Sequence, residues 1–526
     1  MTRDDGRGRP TVGEGVVALA AGVASVAGSY AAAGFTPAFA AAPVSALVVR
    51  LTPGAVVAWS IRVLGDLGHQ LSFLLALVLT AGLFGVAALV AVELADRAAV
   101  PAAPVAAMAG LAVALALTGA AVPGVVAGVA AGVVVGLARL AGGLSDSWTG
   151  ESGGAGEDDA SSSPARRRVL GAVAAALGIG SLGVVLGRRR APATEAPSAS
   201  RDSNAEPGTA SPDVAGLLSE AESKSLAVDG LEGLVSGNFY QVDINSVNPV
   251  VDPDDWTLAL TGAVPEQREF DYDDLTGMAA ERRFMTLRCV GEGLNGKKMD
   301  TALWTGVPVT DLLEWEELPD QCCVMVRAVD DYFEEFPLAA LEDALLAYEM
   351  NGDPLPRGHG APVRLLVPGH WGEINVKWVD KIEVLEQEQK GYWEKRGWHG
   401  TGPVNTVAKL HAINRPEAGK VQVGGHAYAG TRGIRKVEVS TDGGDSWTEA
   451  NLSEPLPGNT AERSSTSGQT QSDNDVWRQW EHTYEASDSH EVVVRATDGT
   501  GTLQPKKRRQ AFPSGPTGWV SRRVEP

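Results

Sequence analysis

Long runs of glycine, alanine, valine and leucine fill the first third of this 526-residue chain, and no other feature constrains its fold as strongly. They lie at about 14–40, 71–93, 100–118, 120–141 and 169–187. Each is near the roughly 20 residues that cross a hydrocarbon core. There every backbone polar group must be satisfied internally, so such runs become helices. A weaker stretch, 44–64, is interrupted by Arg50, Pro53 and Arg62 and reads as a span, a re-entrant piece or an interfacial helix. The expectation for residues 1–190 is an α-helical membrane bundle of about five transmembrane helices.

A polar, disordered-looking loop, 145–168, ends in Arg166, Arg167 and Arg168, and the fifth run closes on Arg188 to Arg190. Equal basic flanks leave the positive-inside count undecided. The stretch "ARRRVLGAVAAALG" resembles a twin-arginine export signal set inside the chain; a plain stop-transfer helix fits it as well. With the N-terminus inside and four earlier spans, everything after Arg190 lies outside, which predicts a multi-pass cell-membrane protein with an extracytoplasmic catalytic half. Counting 44–64 as a span reverses that parity. Residues 191–232, rich in Pro, Ser, Ala and Glu, read as a disordered linker.

The formal net charge of -21 excludes nucleic acid, whose phosphates require a basic face. Acidic runs such as "DPDD" and "DDYFEE" are spread through the soluble half, a halophile-like surface suited to high salt. From 233 to 403 the texture is mixed α/β: strand-like "WTLALTG", "CCVMVRAV", "VRLLVP" and "KWVDKIEVLE" alternate with helical stretches such as "LAALEDALLAYEM". From 404 to 526, period-two alternation and Asp-Gly or Gly-Gly turns predict a small β-sandwich.

Three cysteines are too few for a disulfide framework or a zinc set, and adjacent Cys322 and Cys323 read as filling a strand. Cys289, in "TLRCVGEG", follows a strand and opens a glycine loop beside Arg288, which would favour the thiolate. A nucleophile, a metal ligand and a buried free cysteine all remain open on these residues alone. His69 is the only histidine of the membrane half, so no pair of axial haem ligands exists there. No C-x-x-C-H and no Fe–S cysteine set occurs.

Four further motifs follow Cys289 in order: "ALWTGVPVTDLLE", "GHGAPVRLLVPGHWGEINVKWVDKIEV", "GYWEKRGW" and "VEVSTDGGDSWTEA". With "LRCVGEG" they resemble the sulfite oxidase family of molybdopterin enzymes from about residue 235 to the C-terminus. The resemblance implies an α+β molybdopterin domain, then an immunoglobulin-like β-sandwich that mediates dimerisation, hence a homodimer. It implies one molybdenum-molybdopterin with Cys289 as the protein ligand to molybdenum. His359 and Arg364 would hold the phosphate and pterin side, Asn375, Val376 and Lys377 would close over the same end, and Tyr240 and Gln241 would contact the pterin. Trp398 stands where the family places a tyrosine, and no arginine lies between Val290 and Leu294. Arg396 and Arg432 remain to supply positive charge near the metal, while Glu334 and Glu335 would oppose an anion.

The expected activity is oxygen-atom transfer on a small molecule, coupled to two-electron transfer to a separate carrier such as a quinone, cytochrome or small redox protein. Lipid surrounds the anchor, and neither haem nor Fe–S is expected. The alternatives are a sulfoxide-type reductase on the same scaffold and a cofactor-free membrane-tethered binding module.

Overall fold

The computed structural model describes residues 11–143, 164–190, 212–313, 315, 318, 322–456 and 475–525. Most of the polar loop at 145–168, and residues 191–211 of the expected linker, lie outside the described residues. Two units emerge: Met1–Pro53, Leu64–Ala193 and Ile244–Pro249 make the first, and Gly54–Val63, Thr194–Asp243 and Val250–Pro526 the second.

The first unit is helical. Its opening helix α1 (Val12–Ala33) starts on a capping box, in which the Glu14 N–H donates to Thr11 Oγ1 (3.3 Å) and the Thr11 N–H donates to the Glu14 carboxylate (2.9 Å). α2 (Ala41–Leu51) follows, and α3 (Gly54–Val63) belongs to the second unit. Then come α4 (Asp66–Ala98), α5 (Ala102–Thr118), α6 (Ala121–Gly143) and α7 (Pro164–Arg189).

Among the described residues, four helices are long and apolar enough to cross a membrane: Val12–Ala33, Leu67–Ala98, Ala121–Ala141 and Arg166–Arg189. The expected span at 100–118 is instead the 17-residue α5. At about 1.5 Å per residue it covers roughly 25 Å, short of a typical hydrocarbon core. Residues 44–64 form two helices rather than one, because Pro53 lacks an N–H and disfavours helical backbone before it. Small residues make the contacts inside this unit. Ala21, Ala24, Ala88, Ala91, Ala106 and Ala131 are buried together. A Cβ at Gly22 would overlap the Ala81 carbonyl, and one at Gly128 the Ala107 carbonyl. Such close backbone approach is how helices associate where lipid offers no hydrophobic drive.

In the second unit, β1 (Thr257–Gly262), β2 (Arg268–Asp271), β3 (Glu281–Arg288), β4 (Met299–Pro308), β5 (Cys323–Ala328), β6 (Phe333–Pro337), β7 (Leu345–Met350), β8 (Asp353–Pro354), β9 (Arg364–Leu366) and β10 (Val379–Leu385) build two sheets. One runs β2-β1-β10-β5-β6, with β1 and β10 parallel; the other runs β3-β4-β7-β8, with β9 on β7. Trp256, Leu258, Val307, Val324, Phe336, Leu365 and Ile382 share their core.

A sandwich follows, from β11 (Val407–Ala408), β12 (Ala412–Asn414), β13 (Lys420–Tyr428), β14 (Ile434–Ser440), β15 (Thr448–Glu449), β16 (Asn451–Leu452), β17 (Arg478–Glu485), β18 (His490–Asp498) and β19 (Val520–Val524). Its sheets are β11-β13-β17-β16 with β12 on β13, and β15-β14-β18-β19. Buried hydrogen bonds stitch it to β3: Tyr428 donates to the Thr286 carbonyl (2.9 Å), and the Trp477 N–H donates to Thr286 Oγ1 (2.9 Å).

Three expectations change. "LAALEDALLAYEM" is not a helix: Leu338–Leu341 is one 3-10 turn, and Leu345–Met350 is strand β7, whose apolar run mimics helical text because both faces are covered. Cys322 and Cys323 do not merely fill a strand; their sulfurs are joined at the start of β5, adjacency bringing them within bonding reach.

The third change concerns the linker. Pro212–Lys224 forms helix α8, and Val214 and Ala221 are buried among Leu234, Trp477 and neighbouring side chains. Gln479 then accepts from the Leu226 N–H (2.6 Å) and donates to the Glu232 carbonyl (2.6 Å). The polar composition hid an amphipathic turn-by-turn pattern that only this docking surface rewards. Ala221→Asp places a carboxylate where the residue is fully buried. It also forfeits burial of Val214, worth about 1.5–3 kcal/mol. Limited proteolysis is expected to cut within 212–224 at least tenfold faster in this variant than in the parent.

Candidate active site

Strand β3 delivers Cys289. Its last residues pair with β4, Arg288 opposite Met299, and the loop after it folds back at once: the Cys289 N–H donates to the Lys298 carbonyl (3.0 Å) and the Glu292 N–H to the Cys289 carbonyl (3.3 Å). Glu292 locks this loop. Its carboxylate accepts from Arg288 Nε (2.7 Å), Lys409 Nζ (2.7 Å) and the Lys298 N–H (3.1 Å), all but the last from fully buried side chains. Sequence reasoning missed Glu292 and Lys409, because Lys409 arrives from the sandwich, more than a hundred residues away.

Arg288 is therefore spoken for, its guanidinium also lying over the Trp371 ring at 4.8 Å. It does not favour the thiolate as expected. Burial pushes the Cys289 thiol up to about 11, opposed chiefly by the Gly291 N–H. The residue as a whole is nonetheless half-buried rather than fully enclosed. A methyl group built on Gly291 would stand 3.8 Å from Cys289 Sγ and 3.7 Å from Trp398 Cη2, so sulfur and indole flank one small gap. Trp398 is buried and its Nε1–H finds no acceptor.

Tyr240 connects this gap to a cationic cradle. Its backbone N–H donates to Asp300 (2.6 Å). Burial holds its hydroxyl protonated, and both Cys289 and Arg364 act on it electrostatically. The cradle consists of His359 in the Arg357–His359 turn, Arg364 at the start of β9, and Lys377. Arg364 donates to the carbonyls of His359 (3.1 Å) and Asn375 (3.2 Å), while its buried Nε has no partner. Lys377 donates to the Gly358 carbonyl (2.9 Å) and pairs with Asp243. Burial, then Lys377 and Arg364, pull His359 down to about 3.

A phosphate would satisfy the orphaned Nε and relieve the repulsion on His359. The residues therefore fit the phosphate end of a pterin cofactor, with a soft sulfur at the other end. Gly360 makes the cradle compact: at φ 109° it lies in the left-handed region, and a Cβ there would sit 3.0 Å from both Arg364 Cβ and Lys377 Cα.

The remaining expected residues divide. Gln241 lies against Gly358, where a Cβ would stand 2.6 Å from its Oε1, and donates to Asp243 (2.7 Å). Asn375 works through its side chain as a brace, accepting from the Val367 N–H (2.7 Å) and donating to the Trp371 carbonyl (2.9 Å). Val376 points into the core, contributing only backbone. Arg432 is not brought to Cys289 by any described contact. Its guanidinium is held by Asp498 (3.1 Å), the Val404 carbonyl (2.9 Å) and Thr406 (3.3 Å), because the turn carrying it also closes the sandwich. Arg396 donates to the Tyr392 carbonyl (2.8 Å) and stacks on that ring. Glu334 lies on β6 rather than in a loop and is fully buried.

Residues 245–393 match the oxidoreductase molybdopterin binding domain and residues 403–513 the Mo-co oxidoreductase dimerisation domain. Sulfite oxidase of Arabidopsis thaliana is 28% identical over 324 residues, 51% of this chain and 81% of that protein. Mitochondrial sulfite oxidase of Homo sapiens is 32% identical over 255 residues, 39% of this chain and 46% of that protein. The NADH nitrate reductase of Solanum lycopersicum is 27% identical over 326 residues, 48% of this chain and 34% of that protein. The chain thus spans most of the first relative but less than half of the other two. Behind its apolar helices the chain carries the paired molybdopterin-binding and dimerisation domains of a sulfite oxidase family Mo-co oxidoreductase.

Proposed function

We propose that the second unit holds one molybdenum-molybdopterin with Cys289 as the protein ligand, and that it transfers an oxygen atom to or from a small molecule while anchored by the helices of the first unit. The convergence of Cys289 and the His359–Arg364–Lys377 cradle on Tyr240 carries this reading. When bound, the cofactor supplies an exchangeable oxo group and a two-electron store. The protein supplies the rest. Cys289 offers a soft anionic sulfur once its proton is displaced. Arg364 and His359 hold the phosphate, and Lys377 with Asp243 closes over it. The Tyr240 hydroxyl is a donor for an oxygen in the gap beside the sulfur.

A neutral substrate suits the site better than a small dianion, because the buried cations near Cys289 are committed, Arg288 and Lys409 to Glu292, and Arg432 is held by Asp498. Lys298 acts on the sulfur as a positive group, ahead of Glu292 and Glu373 as negative ones. A sulfoxide fits: R₂SO + 2e⁻ + 2H⁺ gives R₂S and water. Sulfite, which two of the three relatives described above are named for, gives sulfate with release of two electrons and two protons when water supplies the oxygen.

The test is to purify the full chain in detergent and assay both directions, sulfite with an artificial acceptor and a dialkyl sulfoxide with a reduced dye. We expect sulfoxide turnover to exceed sulfite turnover at least tenfold. The reverse ratio would reject the neutral-substrate reading, and a preparation with molybdenum and pterin but neither activity would reject both. The catalytic unit is proposed to face outward and to form a homodimer through the dimerisation domain, with a separate electron carrier. Protease added to intact cells is then expected to release a fragment containing Cys289, and no cleavage outside the cell would reverse the topology.

A further inference from the structure

Beside the Cys289 loop stands a group of side chains that neither the cradle nor the proposed chemistry uses. Glu334 on β6, Glu373 in the Gly372–Ile374 turn and Glu394 in the Glu394–Arg396 turn converge so that one carboxylate oxygen of each lies within 4.8 Å of the others. Glu334 is fully buried, Glu373 is 6% exposed and Glu394 is half-buried. Both oxygens of Glu373 and both of Glu394 are buried without a hydrogen-bond partner. Glu334 accepts from the Trp393 N–H (3.2 Å) and the Glu335 N–H (3.3 Å), and Tyr332 Oη lies 3.1 Å from it.

The backbone is built around these carboxylates. A Cβ at Gly391 would overlap the Glu334 carboxylate, and one at Gly400 would overlap that of Glu373, so these glycines give the carboxylates their room. No lysine or arginine is among the principal groups acting on Glu334 or Glu373. Three convergent, buried, oxygen-only ligands with unused lone pairs are the donor set of a hard divalent cation.

We propose that Glu334, Glu373 and Glu394 bind one hard divalent cation, calcium or manganese, which ties β6 to the two turns that flank the Cys289 loop. The Glu373 carbonyl is already occupied by Tyr332 Oη (2.7 Å), so water completes the coordination. The cation would fix the 391–400 segment that carries Trp398, making it a positioning element for the gap rather than a participant in it. The rival occupant is protons shared among the carboxyls.

The full chain in detergent is stripped with chelator and titrated with calcium, manganese and terbium. The expected result is about one calcium per chain by elemental analysis. Terbium emission excited through tryptophan, Trp393 lying beside two of the ligands, should be displaced by calcium. Glu373→Gln and Glu394→Gln are expected to weaken terbium binding at least tenfold while molybdenum content stays at the parental level. Because a variant can fail to fold, the parent protein is also melted with and without millimolar calcium, which should raise its midpoint. Absence of stoichiometric calcium or manganese, an unchanged midpoint, or terbium binding unaltered in both variants would overturn the proposal and leave shared protons. Molybdenum content reports separately on the cofactor reading, so failure of one is distinguishable from failure of the other.

Discussion

Serine in place of Cys289 is expected to leave the protein folded and to lower turnover per chain by more than about 100-fold, the upper end of what losing even a supporting partner of a metal ligand costs. The residue is half-buried, and the loop is held by backbone bonds to Lys298 and by Glu292, none of which needs the sulfur. Folding should therefore survive, as an unchanged melting midpoint would report. What changes is the donor: a hydroxyl is hard and is scarcely ionised at neutral pH, whereas the thiolate is soft and matches a high-valent oxo-metal centre. Turnover normalised to pterin content is the measurement. A fall of less than tenfold would remove Cys289 from the metal.

Glu292→Gln is expected to be the most destabilising single change near the site. It removes the carboxylate that Arg288 and Lys409 share, leaving two fully buried cations without their counter-charge. Breaking a buried pair in this way costs about 3–5 kcal/mol. For a unit of this size that lowers the melting midpoint by roughly 4–7 °C. The deficit should shrink with pH. Burial already pulls Lys409 from the ordinary lysine value of 10.5 down to about 8, with Glu292 as the main opposing influence. Between the folded and unfolded values the unfolded chain binds more protons, so stability rises with pH across that window. Without Glu292 the folded value falls further and the window opens at lower pH. Melts at pH 7 and pH 9 are expected to show the variant regaining part of its loss, and a deficit independent of pH would mean the triad does not hold the loop.

Much of this molecule is legible along the chain. The apolar runs announce helices because a membrane leaves no other way to satisfy the backbone, and four of them are long enough as built. The strands "WTLALTG", "CCVMVRAV" and "KWVDKIEVLE" appear as β1, β5 and β10, where period and β-branching coincide. Motif text also singled out Cys289, His359, Arg364 and Lys377; Arg364 donates to the His359 carbonyl, Lys377 donates to that of Gly358, and Cys289 and Arg364 both act on Tyr240. It misled where local text supports two outcomes. "LAALEDALLAYEM" has helical spacing and becomes a turn and a strand, and 212–232 has linker composition yet packs on Trp477 and Gln479.

Composition, periodicity and short motifs thus determined by themselves that this chain has long apolar helices followed by two β-rich domains, because each of those signals is local. The tertiary structure alone decided which charges are free. Arg288 and Lys409 meet on Glu292, Arg432 is taken by Asp498, and three glutamates from distant segments share one buried space. The energy of a buried charge is set by what surrounds it within a few ångströms, and those neighbours come from strands and turns far apart in the chain.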